Sequence, residues 1–333
     1  MQVTFFQRKR RPNANYSLEF IFEDVRRRLI GLISSRVVTA PFYSNGLIRR
    51  FGISISAWWH QGEITHVTGD INFAASFLSR RHTVLTILDC GFLERTRGIR
   101  RSVLRQFWLR LPVRRATIVT TISTAAQSDI IRHTGCDPQK VIVIPVAVSE
   151  QFRPLPRQNT SGIPRILQIG TAPNKNVPRV VRALKGIPCV FVVVGQLHAE
   201  IAHAVAESGV DVENHVDLSN EQILDQYHRA DVVVFASLYE GFGMPIVEAQ
   251  AVGRPVVTSN LSSMPEVAGD AACLVNPHST ESIREGIQRV LTDAQYSESL
   301  VQKGYVNAKR FDPEVIARQY YQVYLRLVDS SSR

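Results

Sequence analysis

DVVVFASLYEGFGMPIVEAQAVGRPVVTSN, residues 231–260, contains the clearest structural pattern in this chain of 333 residues. A run rich in valine leads into a glycine-rich loop, and a second valine-rich run begins after Gly253. Between them, Pro245 suits the first position of a helix and Gly253 suits the left-handed residue that ends one. The order predicts two parallel strands joined by a helix, with the loop at the carboxyl edge of the sheet, where such sheets bind ligands.

The same alternation of short β-branched runs and helical segments continues through the rest of the chain. We therefore predict an α/β protein with two Rossmann-like, doubly wound parallel-sheet domains and a cleft between them, a number of domains that suits this length. Strands are predicted at residues 3–6, 37–40, 64–67, 84–88, 118–122, 141–146, 165–169, 190–194, 231–235, 255–258 and 272–275. Helices are predicted at 124–134, with Ser123 as cap and Gly135 as stop, and at 280–291 and 313–325.

A proline-rich segment without apolar periodicity separates the two predicted domains. The boundaries that follow are residues 1–150 for a basic first domain, 151–163 for a linker and 164–310 for a second domain. Residues 311–333 form a last segment, predicted as a helix.

Composition excludes several classes of protein. With 44% apolar and 20% charged residues the chain is globular, and its longest apolar run, residues 141–148, is far shorter than the ~20 needed to cross a bilayer. The amino-terminal order, apolar QVTFFQ before basic RKRR, is the reverse of a secretion signal. Four single cysteines without a CxxC pair argue against a disulfide framework or a zinc site. These features favour a cytoplasmic protein.

Positive charge is concentrated in the first half of the chain. Residues 1–150 contain 22 Lys and Arg against 10 Asp and Glu, and the remainder contains 17 against 19. Within 95–115, arginines alternate with an apolar stripe at helical spacing, which predicts a basic amphipathic helix. Such a helix either lies on an anionic membrane, as on the inner face of the plasma membrane, or packs on its own domain, and both readings stay open. Nucleic acid is not expected, because none of its usual binding modules is present. The predicted stripe consists of Val103, Leu104, Phe107, Trp108 and Leu111.

The loop and helix around Glu240 and Glu248 form a candidate anion site. Gly241 and Gly243 let the backbone come close to a ligand, and the free N–H groups of the helix amino end attract a phosphate. The two carboxylates can accept hydrogen bonds from paired sugar hydroxyls. The alternative is that both glutamates only complement the helix dipole.

The pattern E-GFGMPIV-E followed by G-RPVV resembles the paired-glutamate signature of family 4 retaining glycosyltransferases, the "group 1" set with the GT-B fold. The similarity continues through SNLSSMPEVAGDAACLVNP. It implies that Glu240 contacts donor-sugar hydroxyls near the reaction centre and that Glu248 holds the nucleotide ribose. The positions that would touch sugar and diphosphate are Phe242, Gly243, Met244 and Pro245.

A second anion loop follows Gly170. Lys175 precedes a helix that Asn176 is expected to cap, and a cation beside a positive helix end suggests that an anion lies between them. The segment resembles the G-x-x-x-PRKN stretch of the same family, in which basic side chains neutralise the donor diphosphate. Asn174 stands where arginine is common, and an exposed solubilising lysine is the alternative.

The first domain would hold the acceptor, and the resemblance implies that the last helix, within 311–333, crosses back to this domain. Its opening resembles that of some family members, in which the loop containing Asn15 and Tyr16 faces the acceptor. His66, Asp70 and Asp89 follow or end predicted strands, and could contact sugar hydroxyls, with Asp89 assigned to the catalytic set. The alternatives are a core position for His66 and turn or cap positions for the aspartates. The sequence TILD also departs from the family's T-x-H-D, because Leu88 replaces a histidine.

The resemblance implies retaining transfer from a nucleotide-diphosphate sugar to a glycan or lipid-linked acceptor in cell-surface polysaccharide synthesis. No Asp-x-Asp clamp occurs, so no metal or cofactor is expected and protein groups must stabilise the diphosphate. Leu88 keeps open a catalytically impaired sensor or scaffold, and an epimerase or hydrolase of the sugar nucleotide is a third hypothesis. A dinucleotide dehydrogenase is disfavoured because neither half opens with GxGxxG.

Overall fold

The computed structural model describes residues 1–9, 17–94, 96–154 and 162–331. The chain divides into two units, one made of residues 1–147 together with the C-terminal segment from Pro313, and the other of residues 148–312. Among the described residues, each unit contains one six-stranded sheet whose strand pairs are all parallel. The predicted α/β class with two Rossmann-like sheets is confirmed.

The sheet of the first unit has the order β2-β1-β3-β4-β5-β6. Side chains of β1 alternate between two cores, with Val3 and Phe5 on one face and Phe6 on the other, so both faces are covered. Its strands are β1 (Gln2–Gln7), β2 (Ser34–Thr39), β3 (Ile64–Thr68), β4 (Thr83–Thr86), β5 (Ile118–Thr121) and β6 (Val141–Val143). Its helices are α1 (Ser17–Arg28), α2 (Leu47–Trp59), α3 (Gly91–Glu94), α4 (Gly98–Leu104), α5 (Leu111–Arg115) and α6 (Thr124–Thr134), with 3-10 turns at Asn72–Phe77 and Pro138–Lys140.

The second unit repeats the plan with the order β12-β11-β10-β7-β8-β9. Its strands are β7 (Arg165–Ile169), β8 (Val190–Val194), β9 (Asp211–His215), β10 (Val232–Phe235), β11 (Val256–Ser259) and β12 (Cys273–Val275). Its helices are α7 (Val177–Leu184), α8 (Ala199–Ser208), α9 (Asn220–Arg229), α10 (Met244–Val252), α11 (Met264–Ala268), α12 (Thr280–Thr292) and α13 (Ala294–Ala308), with 3-10 turns at Pro173–Lys175 and Lys309–Phe311.

The C-terminal helix α14 (Pro313–Ser331) packs into the core of the first unit. Its buried Ile316, Tyr320 and Tyr324 lie in one cluster with Phe5 and Phe22. His66 lies against this cluster, and of the two positions left open for it, an acceptor pocket or the core, the structure shows the core. The imidazole is completely buried, and its two ring nitrogens lie 2.8 Å from the Tyr324 hydroxyl and 2.7 Å from the Thr86 hydroxyl. His66 is therefore a hydrogen-bonded core residue.

Burial lowers the pKa of His66 to about 3. The imidazole is consequently neutral throughout the physiological range. A neutral ring with both nitrogens paired satisfies its polar groups inside the core, as a buried polar side chain must.

The edge strand β9 and several helices, among them α8, α9 and α13, were absent from the sequence prediction. β9 lies at the edge of its sheet and reads DVENH, so it shows no apolar run. The sequence of α13 showed no pattern that predicts a helix. The helix predicted at 124–134 is confirmed with its Ser123 cap, which accepts a hydrogen bond from the Ala126 N–H, and its left-handed Gly135.

The basic segment predicted at 95–115 forms a helical stretch from Gly98 to Arg115, in which a π-helical turn, Arg105–Arg110, joins α4 to α5. Arg95 lies outside the described residues. The predicted stripe divides, because Leu104, Trp108 and Leu111 are half-buried while Val103 and Phe107 are exposed. Both packing on the domain and an outward apolar surface are therefore present. In the described part of the chain, no helix combines the length and hydrophobicity needed to span a bilayer.

Candidate functional site

The site of the second unit is created by two neighbouring strands. β7 and β10 pair directly, so the loops that leave their carboxyl ends lie side by side. The first loop carries Lys175 and the second carries Glu240. The Leu238 N–H donates to the Asn174 carbonyl over 2.8 Å, which ties the two loops together through their backbones.

Lys175 and Glu240 form an ion pair. The Lys175 Nζ lies 2.8 Å from Glu240 Oε1, and both side chains are largely buried, with 18% and 14% exposed. The same Nζ lies 4.4 Å from the centre of the Phe235 ring, in cation–π contact. Lys175 is therefore not a free surface lysine, and the anion beside it in this structure is Glu240.

Asn174 provides the second link to Glu240. Its Nδ2 donates to Glu240 Oε1 over 3.1 Å and to the Tyr239 carbonyl over 3.0 Å. An arginine at this position would add a second positive charge to the loop. Asparagine instead holds Glu240 by a neutral hydrogen bond, so Lys175 supplies the positive charge of this contact.

Glycines are required where the two loops approach the charged pair. Gly170 has φ of 86°, and a Cβ there would lie 3.1 Å from the Lys175 side chain. Gly243, the residue before α10, has φ of 115°, and a Cβ there would lie 3.1 Å from Ile246. Larger residues at either position would be strained and would press on the side chains that form the site.

The amino end of α10 opens onto this loop. Pro245 is in the first turn, as predicted, and Gly253 ends the helix in the left-handed conformation. The first turn contains no acidic residue, because Glu240 precedes the helix and Glu248 lies one turn inside it. The alternative that both glutamates complement the helix dipole in the first turn is therefore wrong, and the amino end keeps its positive character.

Two serines hold the loop in place. The Ser263 hydroxyl, which is buried, lies 2.9 Å from the Glu240 carbonyl and 2.7 Å from the Phe242 carbonyl. The Ser262 hydroxyl donates to the Glu240 carbonyl over 2.7 Å. With its carbonyls held by these hydroxyls, the backbone of the glycine-rich loop is fixed in this conformation before any ligand binds.

Glu248 is held by a tyrosine from the preceding helix. The Tyr227 hydroxyl donates to Glu248 Oε2 over 2.6 Å, and Tyr227 itself is completely buried. Glu248 is half-buried by surface area but densely surrounded by protein atoms, and this burial raises its pKa, against the lowering effects of the Tyr227 hydrogen bond and of Lys175. The carboxyl group therefore has one oxygen anchored.

Asn176 corrects a sequence prediction. It precedes α7, as expected of a cap, but it is left-handed and its side chain caps no N–H. Its Nδ2 instead donates to the Ala236 carbonyl over 3.0 Å and to the Pro277 carbonyl over 2.8 Å. The amide thus joins the loops that follow β7, β10 and β12.

In the first unit the acceptor candidates have different surroundings. Asp70 is exposed and pairs with Arg8 over 2.8 Å. Asp89 accepts a hydrogen bond from the Gly91 N–H over 2.7 Å, which is a turn contact at the start of α3. That contact accounts for an aspartate at this position without a catalytic role. Asn15 and Tyr16 lie outside the described residues.

Leu88, where the family usually has histidine, is half-buried against the cluster that contains the C-terminal helix. The side chain contributes packing and no hydrogen bond to any ligand.

A cavity of about 680 Å³ in the second unit lies apart from this site. It borders Gly253, at the opposite end of α10, and is lined also by Arg254 and Tyr305. Among the described residues, no group of three or more His, Cys, Asp or Glu side chains is arranged to hold a metal ion.

Sequence analysis did not identify Tyr227 or the two serines as part of the site. Ser262 and Ser263 lie inside the stretch that carries the resemblance, so the motif itself contained a signal for them. Nothing marks Tyr227, because its contact with Glu248 depends on how α9 packs beside α10.

Comparison with known proteins agrees with the geometry of the second unit. Residues 157–307 match the family model "Glycosyl transferases group 1". The O-antigen chain mannosyltransferase B of Escherichia coli is 28% identical over 234 residues, which are 63% of this chain and 60% of that protein. The MMP alpha-(1->4)-mannosyltransferase of Mycolicibacterium hassiacum is 29% identical over 62% of this chain and 54% of its own length. The chain thus matches less than two thirds of either relative.

Solved structures establish the fold. The structure of HepE from Anabaena in complex with UDP and glucose superposes with a TM-score of 0.78 over 97% of this chain and 99% of that one, at 19% identity. The sucrose-phosphate synthase of Thermosynechococcus elongatus gives a TM-score of 0.78 at 16% identity, over 99% of each chain. Likeness at this level of identity concerns architecture, and the two Rossmann-like sheets are those of the GT-B fold.

Proposed function

We propose that this chain, with its group 1 glycosyltransferase domain on a GT-B fold, moves a sugar from a nucleotide-diphosphate donor to a glycan or lipid-linked acceptor. The proposed transfer retains the anomeric configuration, needs no metal and belongs to cell-surface glycan synthesis. The observation that carries the proposal is the convergence of Lys175, Glu240, Glu248 and the amino end of α10 in the second unit. Because the relatives are named as mannosyltransferases, mannose is the first sugar to test.

Lys175 and the amino end of α10 would bind the diphosphate. Its negative charge grows as the bond to the sugar breaks, so groups that stabilise it lower the barrier to transfer. Lys175 brings a full positive charge, and the helix end brings a partial one together with N–H groups that have no partner inside the helix. These groups supply the charge that a metal ion provides in other enzymes, which is why we propose metal-independent transfer.

The two glutamates would bind hydroxyl groups. Glu248 has one oxygen held by Tyr227, and its other oxygen is proposed to accept from the ribose. Glu240 is placed by Lys175 and Asn174, and is proposed to accept from the donor sugar near the reacting carbon. The Lys175–Glu240 pair would thus place the sugar and the diphosphate on either side of the bond that breaks.

The first unit is proposed to hold the acceptor. Asp70 is the exposed candidate there, and Asn15 and Tyr16 remain predictions of the sequence. No side chain is assigned as a nucleophile. The catalytic assignment of Asp89 also stays a prediction, to be tested by the turnover of Asp89→Asn.

An anionic membrane is proposed as the surface on which the acceptor is met. The helical stretch Gly98–Arg115 presents exposed arginines beside Val103 and Phe107. Arginines near a membrane surface are attracted to anionic lipids by about 1 kcal/mol each. Peripheral attachment through this stretch is part of the proposal.

The proposal is tested first by donor binding. The full chain is titrated by calorimetry with UDP-, GDP- and ADP-sugars, mannose and glucose among them, with EDTA present. One of them is expected to bind, and failure of the whole panel would refute the donor site.

Turnover is tested next with the donor that binds. Release of nucleotide is measured with and without octyl mannoside and octyl glucoside as soluble acceptors, and the anomeric configuration of the product is read by NMR. Acceptor-dependent release with retention supports the enzyme. Release that is independent of acceptor identifies a hydrolase, and tight binding without release identifies a sensor.

A further inference from the structure

Helix α2 carries large apolar side chains on both of its faces. Ile53 and Ala57 are completely buried in the first unit. Its outer face contains Ile48, Phe51 and Trp59, which are 88%, 57% and 76% exposed. Leu47, Ile55 and Trp58 are exposed on the same helix. An exposed stripe of this length is unusual for a protein that stays in water and marks a surface with a partner.

Helix α2 contacts the turn Asn72–Phe77 and the π-helical region. The Phe51 and Phe77 rings are in edge contact with centroids 6.2 Å apart, and the Arg50 guanidinium lies 4.3 Å from the Trp108 ring. Trp108 neighbours the exposed Phe107. The name "apolar face" is used below for the exposed side chains of α2 together with Phe77.

The charge around the apolar face indicates what kind of partner binds there. Residues 25–62, which contain α2, and residues 95–128, which contain the π-helical region, include no Asp or Glu. Arg49, Arg100 and Arg101 are exposed in these two stretches. A second copy of the chain would bring an equally basic surface against this one, and like charges oppose such a contact. An anionic lipid bilayer matches this surface, because its interior is apolar and its outer layer is negatively charged.

We propose that the apolar face docks on an anionic membrane, with the outer stripe of α2 inserted among the lipid headgroups. Tryptophan side chains favour that depth, because their rings are apolar and their N–H groups bind to water or headgroups. Apolar burial of α2 supplies one part of the attraction, and the arginines supply the other. The helix Gly98–Arg115 is then the flanking basic element, and α2 is the principal anchor.

Flotation with lipid vesicles tests this inference. The full chain is mixed with vesicles of phosphatidylcholine, alone or with about a third phosphatidylglycerol. Binding is expected to the anionic vesicles. The triple variant Ile48→Ser/Phe51→Ser/Trp59→Ser should weaken it at least tenfold, while the residual binding becomes more sensitive to salt because only arginines remain. A matched control is Ile163→Ser/Val216→Ser/Val306→Ser, which replaces three side chains more than half exposed in the second unit and should bind like the wild type.

Tryptophan fluorescence gives an independent readout. The chain contains three tryptophans, and Trp58 and Trp59 lie on α2. Lipids brominated on the acyl chain should quench the wild type, and the quenching should be much reduced in Trp58→Phe/Trp59→Phe, which leaves Trp108. Thermal melting and donor binding of each variant show that it is folded.

Equal binding of the wild type and the α2 triple variant to anionic vesicles would overturn the inference. So would a dimer in sedimentation velocity that only the triple variant dissociates, because the apolar face would then join two copies. Vesicle binding is measured without donor or acceptor. Its failure therefore leaves the proposed transfer untouched, and failure of the transfer leaves the vesicle result untouched.

Discussion

At the scale of single residues, the ion pair of Lys175 and Glu240 is the central feature of the proposed donor site. Two opposite charges 2.8 Å apart and mostly shielded from water attract each other more strongly than an exposed pair does. The pair keeps both side chains in place before a ligand arrives. A diphosphate would then approach a lysine whose position is already set, so little side-chain entropy is lost on binding.

Replacing Lys175 with alanine should weaken binding of the donor at least tenfold, which is about 1.4 kcal/mol or more. The variant removes the positive charge and also leaves Glu240 without its ion-pair partner. Calorimetry of the variant with the donor found in the panel measures the loss.

The matched control is Lys185→Ala, because Lys185 is an exposed lysine of the same unit just beyond the helix that follows the Lys175 loop. Its affinity for the donor should equal that of the wild type. Equal affinities of both variants would remove Lys175 from the site.

Glu248→Gln should raise stability at neutral pH while it weakens donor binding by about tenfold. Burial raises the pKa of Glu248 above its ordinary 4.5, so the folded protein holds this proton more tightly than the unfolded chain does. The wild type therefore loses stability as the pH rises from 4.5 through the raised value, and glutamine avoids that loss. The Tyr227 hydroxyl can still donate to the amide oxygen.

Urea unfolding of both proteins between pH 4.5 and pH 8 measures this effect. The stability advantage of glutamine should be smallest at the acid end, grow as the pH rises through the raised pKa of Glu248 and level off above it. An advantage that does not change with pH would mean that the charge of Glu248 is not the cause.

At the scale of elements, α10 combines a buried interior with an amino end that is proposed to bind a ligand. Most of its residues are buried, so the helix is fixed in the unit, and its amino end is left for a ligand. Gly243 makes the sharp entry possible because its φ of 115° is one that other residues rarely adopt.

Gly243→Ala should destabilise the protein by about 1 to 3 kcal/mol, the usual cost of holding a non-glycine residue in such a conformation. It should also reduce donor affinity, because the strain acts on the loop next to Glu240. Thermal unfolding and calorimetry measure the two effects. Gly209→Ala at the end of α8, a left-handed glycine with open space around it, is the control for strain alone and should leave donor affinity unchanged.

The C-terminal helix α14 is the second element with a specific requirement. Tyr324→Phe removes the hydroxyl that pairs with His66 and leaves a buried ring nitrogen without that partner. The expected loss is about 1 to 3 kcal/mol in the free energy of unfolding. Tyr321→Phe, on the same helix but only half-buried, should change stability much less. Chemical unfolding at pH 7.5 compares the two, and equal losses would contradict the role of the His66 contact.

At the scale of the whole molecule, charge is divided between the two halves of the chain. The basic first half contains both acid-free stretches, and the second half, which contains the proposed donor site, is nearly neutral in net charge. A long-range field of this kind attracts a negatively charged surface, such as an anionic membrane, to the first half of the chain.

Neutralising Arg100, Arg101, Arg105 and Arg110 with glutamine should lower binding to anionic vesicles by at least tenfold at low salt. The difference from the wild type should shrink as salt screens the charges. The control replaces Arg182, Lys185, Arg229 and Arg289, four exposed cations of the second unit, and should bind as the wild type does. Loss of binding in both variants would show that only net charge matters.

The sequence by itself determined the class of fold and the concentration of basic charge, and it named the residues of the proposed donor site. These follow from local order: β-branched runs, glycines and prolines at the ends of elements, and the spacing of Glu240 and Glu248. Local patterns are strong where an element is buried, which is why β7 and β8 were predicted with their observed bounds and the exposed edge strand β9 was not.

Only the tertiary structure decided which side chains meet. Lys175 and Glu240 pair because β7 and β10 are neighbours in the sheet. The sequence of the two loops does not predict this order of strands. His66 is in the core because α14 supplies Tyr324 from the far end of the chain. The exposure of the outer stripe of α2 could not be predicted from the sequence, because the same apolar residue types occur at buried and at exposed positions.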